Sequence, residues 1–223
     1  KHVLEHSDTR LVFCAHEFVD RLRVPLEQIT ASGERDIALF PLNPDQIDIF
    51  DDPYIAHVPL PPVVESDAAL LMYTSGTTGV PTAVVQTHRA LVSGGMSTSD
   101  AHALGSADRV LCALPLDPVN GQVVTTVAPL VHGGSVVMSH RFSASSFWQL
   151  AASHRCTWIN VVPTIIDCLL NGPEPRAIGL DVSAIRFCRC ASVPLSPEQR
   201  RAFEAKFGIG VIEAMGLTED YRR

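Results

Sequence analysis

The 223-residue chain has no block of lysine and arginine, no C-x-x-C pair and no apolar run approaching the length of a bilayer span. Each absence removes a class of function. With a net charge of −7 and a pI near 5.7, the chain carries no electrostatic footprint for nucleic acid or for an anionic membrane surface. A membrane-crossing helix needs about 20 consecutive apolar residues, and the opening Lys1-His2-Val3-Leu4-Glu5 has no signal-peptide core. The cytoplasm is therefore the expected compartment. Cys14, Cys112, Cys156, Cys168, Cys188 and Cys190 sit mostly inside apolar runs, which predicts buried thiols rather than zinc ligands or disulfides. The scattered histidines form no H-E-x-x-H, and no serine sits in a G-x-S-x-G elbow, so a zinc enzyme or a hydrolase triad has no foothold. Aromatic residues are scarce, and Trp148 and Trp158 read as core anchors.

What is present is apolar and alternating. At 46% hydrophobic residues the chain can bury a sizeable core. Strand signals at Leu11–Ala15, Ala68–Tyr73, from Arg109, from Ser135, near Thr157 and from Ile185 are separated by helix-length segments. The helices are expected from about His88, Gln122 and Ala144, and after Pro163. Ser196-Pro197-Glu198-Gln199 has the form of a capping box with proline in the first turn, and Gly208 stops that helix. This order predicts an α/β fold, a layered and mainly parallel sheet with flanking helices, with Tyr73 and Ile185–Phe187 on central strands. Residues 25–66 read as a connection with weak periodicity.

The most informative run is Leu71-Met72-Tyr73-Thr74-Ser75-Gly76-Thr77-Thr78-Gly79-Val80-Pro81. Hydroxyls and glycines follow directly on a strand, and such a segment can wrap a phosphate with backbone N–H groups and side-chain donors. It lacks the spacing and the lysine of a Walker A loop. It resembles instead the signature of the adenylate-forming superfamily, the acyl- and aryl-CoA synthetases, luciferases and peptide-synthetase adenylation domains. Further resemblances follow in order: Thr87-His88, then Asp108 to Leu116 with Asn120-Gly121, and Ala128-Pro129-Leu130 with Gly133 to Val137. After these come Val162-Pro163-Thr164, Ala191-Ser192-Val193-Pro194-Leu195 and Glu213-Ala214-Met215-Gly216-Leu217-Thr218-Glu219.

The resemblance implies two half-reactions, in which a carboxylate attacks the α-phosphate of ATP and a thiol such as coenzyme A then displaces AMP. By matching position, Thr74, Ser75, Gly76, Thr77, Thr78 and Gly79 would hold the β- and γ-phosphates. Ala191, Ser192, Val193, Pro194, Met215 and Gly216 would meet the nucleotide. Thr218 would serve the α-phosphate, and Glu219 would be catalytic as the Mg²⁺ ligand. The implied partners are a small carboxylate substrate and CoA or a carrier-protein thiol, within fatty acid or related acid metabolism.

The departures are local. Thr82 and Ala83 stand where the family has lysine and glycine, Pro118 replaces a common histidine beside Asp117, and Met215 replaces a tyrosine. By resemblance, residues 1–66 are a connecting part of the N-terminal subdomain and 67–223 its AMP-binding core. The lysine-bearing C-terminal domain lies outside the chain. The expected role is the core of an acid–thiol ligase; the alternative is a degenerate, non-catalytic module used for packing or partner binding.

Overall fold

The computed structural model describes residues 2–33, 35–43, 59, 61–74, 81–116 and 119–216. They form two compact units, one up to Val63 and one built from Val64–Thr74 and the chain from Ala83 onward.

In the first unit, helix α1 (His2–His6) precedes strand β1 (Leu11–Ala15), helix α2 (Val19–Ala31) and strand β2 (Ala38–Leu42). The two strands pair in parallel, Leu11 opposite Ala38 and Ala15 opposite Leu42. A parallel pair needs a crossover, and α2 supplies it. Both α2 and β2 extend into the stretch that reads as an aperiodic connection. The misleading residues are Pro25, which interrupts the helical signal from inside α2, and Pro41, inside β2.

The second unit opens with the two-stranded sheet β3 (Ala68–Thr74) and β4 (Thr82–Thr87). Tyr73 therefore lies on this small sheet and not on a central strand of the large one, contrary to the sequence expectation. Helix α3 (His88–Ala101) follows, capped by Thr87, whose Oγ1 accepts from the Ala90 N–H at 3.1 Å. The main sheet comprises β5 (Arg109–Cys112), β6 (Ser135–Met138), β7 (Trp158–Val161), β8 (Phe187–Ala191) and β9 (Val211–Ala214). Its order is β6-β5-β7-β8-β9 and every pairing is parallel. Between β5 and β6 runs a π-helical segment, Asn120–Val127, which passes into α4 (Ala128–Val131); the remaining helices are α5 (Phe147–Ser153), α6 (Pro163–Leu170) and α7 (Pro197–Phe207). Two starts are later than the sequence suggests, Phe147 for α5 and Phe187 for β8. The helix expected near Gln122 is present in π form.

Alternation along the strands sets the layers. Leu111, Ile159, Val161, Cys188 and Cys190 point into one core, where Phe147 and Trp148 of α5, Ile165, Ile166 and Leu169 of α6, and Phe203 and Phe207 of α7 pack. The intervening residues Val110, Trp158 and Phe187 face the other way, against Leu104 and Ala128. Both faces are thus covered, as a fully parallel sheet requires. Helix α7 carries the complete capping box: Ser196 Oγ accepts from the Gln199 N–H at 3.1 Å, and Gln199 Oε1 accepts from the Ser196 N–H at 3.2 Å. Gly208 ends it with φ 68°, a conformation that costs glycine little.

Candidate functional site

In open parallel sheets ligands bind beyond the carboxyl ends of the strands. Here that end carries a polar cluster on the face that is apolar elsewhere. Trp158 and Phe187, register partners on β7 and β8, stack with ring centroids 5.5 Å apart. Two residues on, the same face presents the partners Asn160 and Arg189, fully buried and 6% exposed. Burial of such groups is costly unless their hydrogen bonds are made. Arg189 Nη1 donates to Asn120 Oδ1 at 2.7 Å and to Asn160 Oδ1 at 3.2 Å. Asn160 Nδ2 donates to Asn120 Oδ1 at 2.8 Å and Thr125 Oγ1 at 2.6 Å.

Asn120 is the hub, and the π segment that it opens holds it in place. Thr125 Oγ1 donates to the Asn120 carbonyl at 2.7 Å and Thr126 Oγ1 to the Gly121 carbonyl at 3.1 Å, both to the residue five positions back. The wider turn is typical of functional sites. Gly121 allows the chain to enter it, since a Cβ there would fall 2.0 Å from the Pro115 carbonyl oxygen. On its outer side Asn120 Nδ2 donates to Ser192 Oγ at 3.2 Å. Ser192, immediately after β8, has φ 82°, a backbone region that favours glycine. The second glycine of the matching family motif occupies this position.

These residues wall a small cavity of about 40 Å³, lined by Val119, Val124, Ala191 and Gly216 together with Asn120, Arg189 and Ser192. A cavity needs about 10–15 Å³ of such space for one water, so this one accepts a few polar atoms. The cysteines on the opposite core face are set apart from this chemistry. Burial pushes the Cys190 thiol up to about 11, with Glu213 adding to the rise and Arg189 opposing it, and burial raises Cys188 well above the ordinary range. Cys112, Cys156, Cys188 and Cys190 are buried, as expected, whereas Cys168 is exposed.

The sequence-predicted residues divide clearly. Thr74 ends β3, Ala191 ends β8, and Ser192, Val193 and Pro194 form the loop beyond it. Met215 and Gly216 follow β9, with Met215 96% exposed. Ala191, Ser192 and Gly216 meet at the cavity. Ser75, Gly76, Thr77, Thr78, Gly79, Asp117, Pro118, Thr218 and Glu219 lie outside the described residues. Among the described residues no cluster of three His, Cys, Asp or Glu could hold a metal ion, and no helix is long and apolar enough to cross a membrane. The polar trio Asn120, Asn160 and Arg189 is absent from the sequence-predicted site. Its signal was a polar residue placed within an apolar strand, Asn160 in Trp158–Val161 and Arg189 in Phe187–Ala191.

A model of the AMP-binding enzyme family matches residues 1–221. The sulfoacetate–CoA ligase of Cupriavidus necator is 52% identical over 98% of the chain, which covers 42% of that enzyme. The oxalate–CoA ligase of Saccharomyces cerevisiae is 33% identical over 69% of the chain, covering 28% of it. The crystal structure of ATP-bound MatB from Rhodopseudomonas palustris shares the fold, with a TM-score of 0.76 and 23% identity over 98% of this chain and 42% of that one. The chain thus spans about two fifths of the length of the ligase that it matches at 52% identity. Since the family match runs through every element that surrounds the cavity, the chain belongs to the AMP-binding enzyme family.

Proposed function

We propose that the chain is the acid- and nucleotide-binding core of a ligase that activates a carboxylic acid with ATP, giving an acyl-adenylate and pyrophosphate, and passes the acyl group to the thiol of CoA. The observation that carries this reading is the polar cavity at the carboxyl ends of β8 and β9, bounded by Asn120, Arg189, Ser192 and Gly216. A carboxylate nucleophile is already charged, so the protein's part is positioning and neutralisation of charge. The donors required for that part are present at the cavity wall.

Ser192 to Pro194 and the exposed Met215 are suited to the nucleotide. The left-handed turn at Ser192 brings the loop over the strand end, and the Met215 thioether is available to cover a purine ring. Thr74 to Gly79 would cradle the outer phosphates and Thr218 the inner one. Glu219 would hold Mg²⁺, which favours carboxylate and phosphate oxygens and would neutralise phosphate charge. The ligase that is 52% identical acts on sulfoacetate, which supports a short acid with a second anionic group in preference to a fatty acid. We assign the protein to the cytoplasm, where thiols such as its six stay reduced.

The test is acid-dependent ATP–pyrophosphate exchange and CoA-thioester formation by the full-length protein, with sulfoacetate as the first acid. Exchange that requires both the acid and Mg²⁺ supports the reading. No exchange with any carboxylic acid would leave the non-catalytic, partner-binding module as the better account.

A further inference from the structure

We propose that Arg189 is the residue by which this pocket selects its acid: its guanidinium takes the second, non-reacting anionic group of a short doubly charged acid, and Asn120 and Ser192 complete the donor set. The inference rests on the ligase reading above and names the selective group within it.

Three observations carry it. First, Arg189 is 6% exposed yet lines the cavity, so it meets a ligand in surroundings where water screens its charge poorly. Second, its orientation is set in advance. The Asn120 and Asn160 amide oxygens both hold Nη1, at 2.7 and 3.2 Å, and being neutral they orient the guanidinium without cancelling its charge. A planar fork fixed in this way matches two oxygens of a carboxylate or a sulfonate. Third, the space is small and mixed. About 40 Å³ suits a compact charged group and excludes an acyl chain, while Val119, Val124 and Ala191 supply short apolar walls. A purely structural arginine would serve as a strut between β7, β8 and the π segment, and it would treat all acids alike.

The experiment uses the full-length protein and three probe acids: sulfoacetate, malonate and butyrate. Binding is read by calorimetry and turnover by pyrophosphate exchange. Asn120→Asp keeps the side chain's shape and its acceptor toward Arg189 but adds a negative charge beside the guanidinium. The kcat/KM ratio of sulfoacetate over butyrate should fall roughly ten- to hundred-fold, carried mainly in KM. Arg189→Met should lower the ratio at least as far, and Arg189→Lys should recover part of it. Overturning results are a wild-type protein that does not prefer the doubly charged acids, or variants that lose all three acids in parallel with a lowered thermal midpoint. If the wild-type protein exchanges pyrophosphate with no acid, the ligase reading falls by itself. Calorimetry of sulfoacetate on wild type and Asn120→Asp still decides the role of Arg189: weaker binding to the variant upholds it, and equal or absent binding overturns it.

Discussion

Asn160 and Arg189 are register partners on neighbouring parallel strands, and Asn160 Oδ1 accepts from Arg189 Nη1 at 3.2 Å. Their neighbours two residues earlier, Trp158 and Phe187, are partners too, so one sheet face turns from stacked rings to hydrogen-bonded polar groups within a single step of the pleat. The apolar end anchors the strands, and the polar end is held open to a cavity at the strands' carboxyl ends.

Removing Asn160 should therefore harm stability as well as the site. Asn160→Ala strips both Arg189 and Asn120 of a partner inside the core and leaves Thr125 Oγ1 without its donor. A loss of about 1–3 kcal/mol in unfolding free energy is expected, because the partners left behind stay buried. Denaturant unfolding of the variant checks this, and an unchanged midpoint would mean that the cluster relaxes to water at no cost.

Gly121 sets the path of the π segment. A methyl group there meets the Pro115 carbonyl oxygen at 2.0 Å, a backbone atom that cannot swing aside as a side-chain tip could. Gly121→Ala should cost about 1–3 kcal/mol and displace Asn120 from the cavity. The expected result is a lower melting temperature together with weaker acid binding; retention of both would show that the loop before Gly121 gives way freely.

Acid should weaken the second unit in two stages. Burial holds His102 below its ordinary pKa, with the charge of Arg189 acting in the same direction and the Thr98 carbonyl opposing it. The ring lies against Trp158 and Phe187. Because the folded value is the lower one, this contribution is intact above the unfolded pKa of about 6.5 and declines as pH falls below it. Burial pushes Asp108 upward, but hydrogen bonds from Thr157, the Gly105 N–H and Arg186, aided by the Arg186 charge, outweigh that and keep its carboxyl below the usual range. Its contribution is full above about pH 4 and is lost below it. Stability measured against pH should show both declines, with His102→Gln removing the first alone. A single decline below pH 4 in the wild-type protein would contradict the role of His102.

Much of this was legible because strong local signals and tertiary structure agree. Ser196, Pro197 and Gln199 specify the start of α7 through backbone groups within four residues, and packing does not alter that result. The apolar strands β5 and β7 stand out for the same reason. Strand β9 was not foreseen: Val211–Ala214 is a four-residue strand with only Val211 fully buried, and the pairing with β8 stabilises it more than its own pattern does. Thr82–Thr87 was read for its motif position rather than as β4. Residues 25–66 hid α2 and β2 because Pro25 and Pro41 are breaker signals that the tertiary structure overrides. The polar trio escaped because Asn120, Asn160 and Arg189 are far apart in sequence and only parallel register brings them together.

Thr82 gives the sharpest test of the phosphate end of the site. It opens β4 and is exposed, at the position where the family carries a lysine beside the phosphates. In the full-length protein Thr82→Lys places a cation where negative charge accumulates as the carboxylate attacks the α-phosphate. A charge-assisted hydrogen bond made preferentially in that transition state is worth about 1.5–3 kcal/mol, or roughly one to two decades in rate. Pyrophosphate exchange should rise by that factor. Exchange that stays level or falls in a folded variant would mean that the site has been rebuilt around threonine, with its neutralising charge supplied elsewhere. Glu219→Gln separates the two accounts: Mg²⁺-dependent exchange should disappear if Glu219 holds the metal, whatever residue stands at 82. Persistence of exchange in that variant would assign the metal to another carboxylate, and a gain from Thr82→Lys would then reflect the phosphates alone.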